Sequence, residues 1–373
     1  MIGGGRSRRT RAATVLGMAV AVGALLVLAI LPNAPSAVRL GPRPLMTTAA
    51  SACEVGSGPQ YPGYDPVDKE TYVPNFDSSS ITVLSGTCTV AATISLPAGA
   101  EPVQAVFDPG DNDMFVTDYA LSQIYEISGT KLILTITNSF VSGEFGGPWG
   151  IAYDPNYYSL LDAPVGALFV TDLNTNQITA VQPCPMGSEY GGCGTHGIAY
   201  WASYNVGSQP TSIVYDPGDG DLWVTNSASD TVSAVAAFPY GIGQTTTVQN
   251  FPVGGDPREV AIDLASGFVY VSDYSTNNIT VIEGSPSQDE FGAVIGSIAA
   301  DGPIGVAWDQ STLHMYVGDF TSDQLLVIGG NSGLKIFKTE TMSVAGVNGV
   351  SYDAANGQMY VTGFDDDYVE VTS

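Results

Sequence analysis

Short apolar runs recur along this chain, opening at Pro or Gly and usually closing on an aromatic-Asp pair, as in Pro148-Trp149-Gly150-Ile151-Ala152-Tyr153-Asp154. Runs of this length, rich in Val, Ile and Tyr and bounded by turn residues, predict strands. A turn follows, for example Asp216-Pro217-Gly218-Asp219-Gly220-Asp221, where Pro presets φ and Gly or Asp accepts unusual dihedrals. The next strand has a nearly constant centre: an aromatic, Val, a small residue or Pro, then usually Asp or Asn. It reads Tyr72-Val73-Pro74-Asn75, Phe115-Val116-Thr117-Asp118, Phe169-Val170-Thr171-Asp172, Trp223-Val224-Thr225-Asn226, Tyr270-Val271-Ser272-Asp273, Tyr316-Val317-Gly318-Asp319 and Tyr360-Val361-Thr362-Gly363. A third strand alternates polar and apolar residues, as in Asn278-Ile279-Thr280-Val281-Ile282, so one flank packs and the other does not. A more variable stretch such as Thr89-Val90-Ala91-Ala92-Thr93-Ile94-Ser95-Leu96 completes the unit.

The leading aromatics are 43, 54, 54, 47, 46 and 44 residues apart. Strand repeats of roughly 40 to 50 residues mark propeller blades. The predicted fold is all-β: a seven-bladed β-propeller of four-stranded blades, preceded by an N-terminal hydrophobic helix. With 44 Gly and 23 Pro, few stretches beyond that helix are long enough for helical periodicity. The seventh copy stops at its third strand, Tyr368-Val369-Glu370-Val371-Thr372-Ser373, which would expose an unpaired edge. Residues between about Val38 and Val55 are expected to supply the missing outer strand. The layout is therefore 1–37 as signal peptide or membrane anchor, 38–57 as linker and closing strand, and 58–373 as propeller.

The N-terminus carries Arg6, Arg8, Arg9 and Arg11 before an apolar run from Ala12 to Leu31. Twenty apolar residues suit either a secretory signal or a spanning helix, and the basic flank stays inside in both cases. Cleavage sites are offered by Ala34, Ser36 and Ala37 or by Ala50-Ser51-Ala52. The propeller is expected outside the cell or on its surface. Four cysteines agree with an oxidising compartment. Cys184 and Cys193 lie in one Gly-rich excursion, leaving Cys53 and Cys88 to tie the closing strand to the first blade; neither pair has metal-site spacing.

Only 13% of residues are charged, yet 37 are acidic and 11 basic. A chain beginning near Val38 keeps 7 of those basic residues and a net charge of −30. Such a surface repels nucleic acid and anionic lipid. Its expected counterparts are cations, cationic surfaces, neutral glycans or other proteins, with the membrane reached only through an uncleaved N-terminal segment. A halophilic or acidophilic host would explain the same bias without a ligand.

The seven aromatic-Val repeats resemble the YVTN family of β-propellers over nearly everything after Gly58, and the Pro-Gly-Ile-Ala-like openings are similar to those of NHL and virginiamycin B lyase-like propellers. The resemblance implies a seven-bladed ring and an exported or cell-surface location, often in surface-layer or surface-associated proteins. It does not fix an activity, because propellers host lyases, lactonases, redox enzymes and scaffolds.

Candidate chemistry is sparse. His196 and His314 belong to turns on opposite faces of the expected ring, which argues against shared metal or haem chemistry. A lyase-like pairing of His196 with Glu189 is the competing view. The acidic turns Asp108 to Asp113, Asp216 to Asp221 and Asp365-Asp366-Asp367 offer oxygens suited to Ca²⁺, but Asp-Pro-Gly turns also stabilise hairpins unaided. No cofactor and no metal ligand set is expected. The residues after the aromatic-Val strands, Phe76, Tyr119, Leu173, Ser227, Tyr274, Phe320 and Phe364, share a face with the turns carrying Trp149 and Arg258. Aromatics around a concave mouth stack on sugars or anchor a protein; the alternative is packing between blades. Pro183 to Gln209 is read as a Tyr-rich excursion carrying Tyr190, Tyr200, Trp201 and Tyr204, and long loops on rigid scaffolds are where binding usually resides. Asn278-Ile279-Thr280 is a glycosylation acceptor pattern at the start of a strand. The expectation is an exported, non-enzymatic binding or scaffold module for protein or glycan; the alternative is a propeller lyase or lactonase with a divalent cation at the channel mouth.

Overall fold

Twenty-eight strands in seven antiparallel sheets make up the regular structure of residues 51–138, 145–156, 166–183, 198–236, 247–329 and 334–372, which the computed structural model describes. β1 (Ser51–Glu54) comes first. Blade 1 is β2 (Gly63–Asp65), β3 (Glu70–Asn75), β4 (Ser80–Ser85) and β5 (Thr89–Ser95); blade 2 is β6 (Pro102–Asp108), β7 (Asp113–Asp118), β8 (Gln123–Ser128) and β9 (Lys131–Thr137). Blade 3 is β10 (Pro148–Asp154), β11 (Ala167–Asp172), β12 (Gln177–Pro183) and β13 (Ile198–Asn205); blade 4 is β14 (Pro210–Tyr215), β15 (Leu222–Asn226), β16 (Thr231–Val235) and β17 (Val248–Pro252). Blade 5 is β18 (Pro257–Asp263), β19 (Phe268–Asp273), β20 (Asn278–Glu283) and β21 (Val294–Ala299); blade 6 is β22 (Pro303–Asp309), β23 (His314–Asp319), β24 (Gln324–Gly329) and β25 (Lys335–Thr341). Blade 7 has β26 (Val347–Asp353), β27 (Gln358–Gly363) and β28 (Tyr368–Thr372), with β1 as its fourth strand. The inner strands neighbour one another in a cycle that returns from β26 to β2. The seven-bladed propeller expected from the repeats is the fold of this chain.

The ring closes through β1, which runs antiparallel to β28 with Cys53 opposite Val369. The disulfide Cys53–Cys88 fastens β1 to the turn between β4 and β5. The Gly58 N–H and the Ser57 hydroxyl both donate to the Asp367 carboxylate at 3.0 Å, and Asn348 Nδ2 donates to Gln60 Oε1 at 2.8 Å. The N-terminal hydrophobic segment, Cys184 and Cys193 lie outside the described residues. Among the described residues no helix is long and apolar enough to cross a membrane.

One expectation needs correction. Pro183 to Gln209 is not a loop throughout, because Ile198–Asn205 is β13, the outer strand of blade 3, paired with β12. Outermost strands face solvent on a whole flank, as the largely exposed β5 and β25 do, so they lack a clean hydrophobic alternation.

Seven apolar clusters fill the joints between blades, and each contains one of the repeat aromatics. Tyr72 packs with Met114 and Val116 of the next blade, Phe115 with Ile151, Phe169 with Ile213, Trp223 with Val260, Tyr270 with Val306, Tyr316 with Val350, and Tyr360 with Val73 and Leu84. The core is thus interfacial, which is why a blade is not stable alone.

The small residue two places after the aromatic has a separate task. In blades 2 to 7 the pairing of the inner with the second strand shifts register after its first residue, so two inner residues leave the ladder. Buried backbone groups released this way need partners. The Thr117 hydroxyl accepts from the Gln104 N–H at 3.1 Å and donates to the Trp149 carbonyl of the next blade at 2.6 Å. Thr171 accepts from the Gly150 N–H at 2.7 Å and donates to the Thr211 carbonyl at 2.9 Å. Thr225 does the same between Ser212 and Arg258, and Ser272 between Glu259 and Ile304. Blade 1 has Pro74 there, and the two groups that a hydroxyl would bridge bond directly, Tyr61 N–H to the Val103 carbonyl at 3.1 Å.

Replacing Thr171 with Val keeps the volume but strands one buried N–H and one carbonyl. Chemical denaturation should show a loss of about 2–4 kcal/mol, against under about 1 kcal/mol for Thr171→Ser. The double variant Cys53→Ala/Cys88→Ala opens a loop spanning 35 residues and should lose about 2–4 kcal/mol in the same measurement, with blade 7 becoming the first site of hydrogen exchange.

Candidate functional site

The inner segments align residue for residue, from Pro59, Pro102, Pro148, Pro210, Pro257, Pro303 and Val347 to a final Asp six places later. In all seven blades that aspartate, Asp65, Asp108, Asp154, Asp216, Asp263, Asp309 or Asp353, accepts the N–H two residues on at 2.7 to 2.9 Å. The acidic turns considered for calcium are therefore closed by their own leading carboxylates, and Asp366 and Asp367 hold Ala345 and Gly58 N–H groups. Among the described residues no group of three or more His, Cys, Asp or Glu is arranged to hold a metal.

The other rim carries the aromatics singled out from the sequence. Phe76, Tyr119 and Trp149 come from three successive blades; the Trp149 ring lies 6.3 Å from Phe76 and 5.4 Å from Tyr119, edge-on to the latter. A second group joins Arg258, whose guanidinium sits 5.3 Å above the Tyr274 ring, with Phe320 6.5 Å from Tyr274. Asp256, in the left-handed region at φ 54°, aims its carboxylate at Arg258, 2.6 Å away. Asp and Asn tolerate that conformation better than other side chains, and Asp230, Asp323 and Asp367 adopt it in other turns of the ring. All of these rings are half-buried, as is Phe364. They cap the blade joints from outside rather than joining the apolar clusters within them.

Two of the expected binding residues cannot be placed against this rim: Tyr190 lies outside the described residues, and of Trp201 only the backbone, within β13, is described. His196 likewise lies outside. His314 starts β23, stacks 5.2 Å from Phe337 of the outer strand, and has its pKa lowered by burial. It is not among the residues that border the axial cavity. Asn278 Nδ2 donates to the Asp273 carboxylate at 3.0 Å, so glycan attachment in the folded state would have to break that bond.

Among the described residues, a concave feature lies elsewhere than on the aromatic rim. A cavity of about 500 Å³ runs along the axis, bordered by inner-strand residues of all seven blades, and opens among the inner-to-second-strand turns at Pro217, Leu264, Gln310 and Ala354. Its mouth holds Tyr153, Tyr215, Trp308 and Tyr352, the aromatics of the aromatic-Asp pairs that the sequence offers only as strand ends. Deep in it, Tyr61, Gln104, Ser212 and Glu259 occupy the same place on four blades. Gln104 Oε1 accepts the Ile151 N–H of the next blade at 3.0 Å, and Glu259 Oε2 accepts the Val306 N–H at 2.7 Å. The same geometry is thus served once by an amide and once by an acid. The signal in the sequence for Glu259 is a charge directly ahead of the apolar run Val260-Ala261-Ile262 of β18. Burial pushes the Glu259 carboxyl up to about 8, with the Val306 bond opposing.

The family model "Lactonase, 7-bladed beta-propeller" matches residues 46–308. No curated protein matches the sequence. Among solved structures, a streptogramin B lyase is similar at 14% identity with a TM-score of 0.62, over 88% of this chain and 98% of that one. A selenomethionine-substituted virginiamycin B lyase from Staphylococcus aureus is similar at 13% identity with a TM-score of 0.65, over 87% and 98%. A chain of a mitotic checkpoint complex reaches a TM-score of 0.66 at 12% identity, over 93% and 98%. At these identities the structures share the fold alone. The family's description is that of an enzyme, which stands at a distance against the expectation of a non-enzymatic module.

Because the folded state favours neutral Glu259, its stabilising contribution is complete below its ordinary value near 4.5 and is lost as pH rises through about 8. Asp172 and Glu126, both raised to about 7 by burial, act in the same direction. Thermal melts should therefore fall from pH 5 to pH 8. Glu259→Gln, which keeps an acceptor for Val306, should flatten that fall; an unchanged slope would mean that Glu259 does not titrate in this window.

Proposed function

The chain belongs to the lactonase, 7-bladed beta-propeller family, and from that premise we propose that it acts outside the cytoplasm as a binding module, taking up a neutral glycan or a protein surface on its aromatic rim. The observation that carries this reading is the convergence of Phe76, Tyr119 and Trp149 from three blades. Half-exposed rings on rigid turns offer flat apolar area at little entropic cost, which suits sugar faces and protein anchors alike. Arg258, held by Asp256 over Tyr274, adds a fixed donor on the same rim. An acidic surface disfavours polyanionic counterparts. Export rests on Arg6 to Arg11 followed by the apolar run Ala12 to Leu31.

Family membership favours a second reading, hydrolysis of a lactone, in which the axial Glu259 would be the acid or base nearest to a substrate in the cavity. Titration calorimetry with neutral oligosaccharides should give saturable binding that Trp149→Ala weakens at least about tenfold without changing the melting temperature. Turnover of simple γ- or δ-lactones, with or without added divalent cations, abolished by Glu259→Gln and untouched by Trp149→Ala, would replace the binding reading with the enzymatic one.

A further inference from the structure

We propose that the axial cavity is a separate ligand site, opening on the rim opposite Trp149, and that its ligand is a small organic cation bearing an ammonium group. At about 500 Å³ the cavity has the size of a small-molecule site. Its inner end presents a carboxylate that is nearly fully buried, Glu259, of which Oε2 is engaged by the Val306 N–H. The second oxygen makes no hydrogen bond among the described residues, while the residue borders the cavity. A carboxylate held in an apolar space with one oxygen unsatisfied disfavours its own charge, and a bound cation supplies the missing counter-charge.

The mouth fits the same ligand. Tyr153, Tyr215 and Tyr352 reach with their hydroxyls to the turn of the preceding blade, at Asp108, at Asn156 and at Ser311. With the polar tips engaged at the rim, the aromatic bodies border the cavity, joined by Trp308. Aromatic faces are attractive to quaternary and protonated amines. Glu259 is the one charged side chain among the described residues that border the cavity, so no basic group in that lining competes with a bound cation. The basic residue nearest in sequence to Glu259, Arg258, is held on the opposite rim by Asp256 and Tyr274.

Choline is a suitable probe, with the neutral alcohol in which carbon replaces the quaternary nitrogen as its isostere. Calorimetry and Trp fluorescence on the full chain should show saturable choline binding, with the isostere at least about tenfold weaker. Glu259→Gln should cost choline at least about tenfold and leave the isostere unchanged; folding is retained, since Gln104 performs the same backbone contact in blade 2. Trp308→Ala should weaken choline independently. Equal affinity for the two probes, an unaltered choline affinity in Glu259→Gln, or no saturable choline binding would each overturn the proposal.

Discussion

At four of the seven joints a single hydroxyl with two backbone partners sets how one blade sits against the next. The inner strand of each blade must leave its ladder near the axis, and the N–H and carbonyl so released would be costly if unpaired. Thr117, Thr171, Thr225 and Ser272 take one group from their own blade and one from the following blade. The bond fixes the relative height of adjacent blades, while the buried aromatic two residues earlier fills the joint beside it. Packing alone tolerates sliding of apolar surfaces; a two-way hydrogen bond does not. The repeated tetrapeptide is therefore a joint specification, with ring, spacer, hydroxyl and turn cap in fixed order.

Fixing the joints also fixes what lies at either end of the axis. One rim collects the Pro-led turns, with Trp149 and Arg258, and the residues that follow the hydroxyl strands. The other collects the aspartate-closed turns and the aromatics preceding them. The two rims therefore differ in chemistry for a structural reason: aromatic and partly cationic at one end, aromatic beside buried turn-closing aspartates at the other.

Much of this was legible in the chain. Strand order, blade number and the closing strand before Val55 follow from repeat spacing and from one copy that ends a strand short, while the Cys53–Cys88 bridge was expected as the pair left over by Cys184 and Cys193. The rim aromatics were also readable, since their offset from the repeat is constant. Less was readable where a role depends on alignment between blades. Glu259 looks like an ordinary charge beside Arg258 until it is set against Gln104, Ser212 and Tyr61 on the same ring. The aromatics Tyr153, Tyr215, Trp308 and Tyr352 look like strand endings, because nothing local reveals that they surround an opening. β13 escaped notice because an outer strand answers to solvent on one flank and need not alternate cleanly.

The clasp has a consequence for the order in which the molecule is made. β1 is among the first parts of the propeller to be synthesised, yet its partner β28 is among the last, and Ser57 waits 310 residues for Asp367. Cys88 follows Cys53 by only 35 residues. Oxidation can thus park the leading strand against the first blade while six blades are still to come, covering an otherwise sticky edge and leaving it at the place where the tail will arrive. Formed at that stage, the covalent link would act as a bookmark before it serves as a lock in the finished ring.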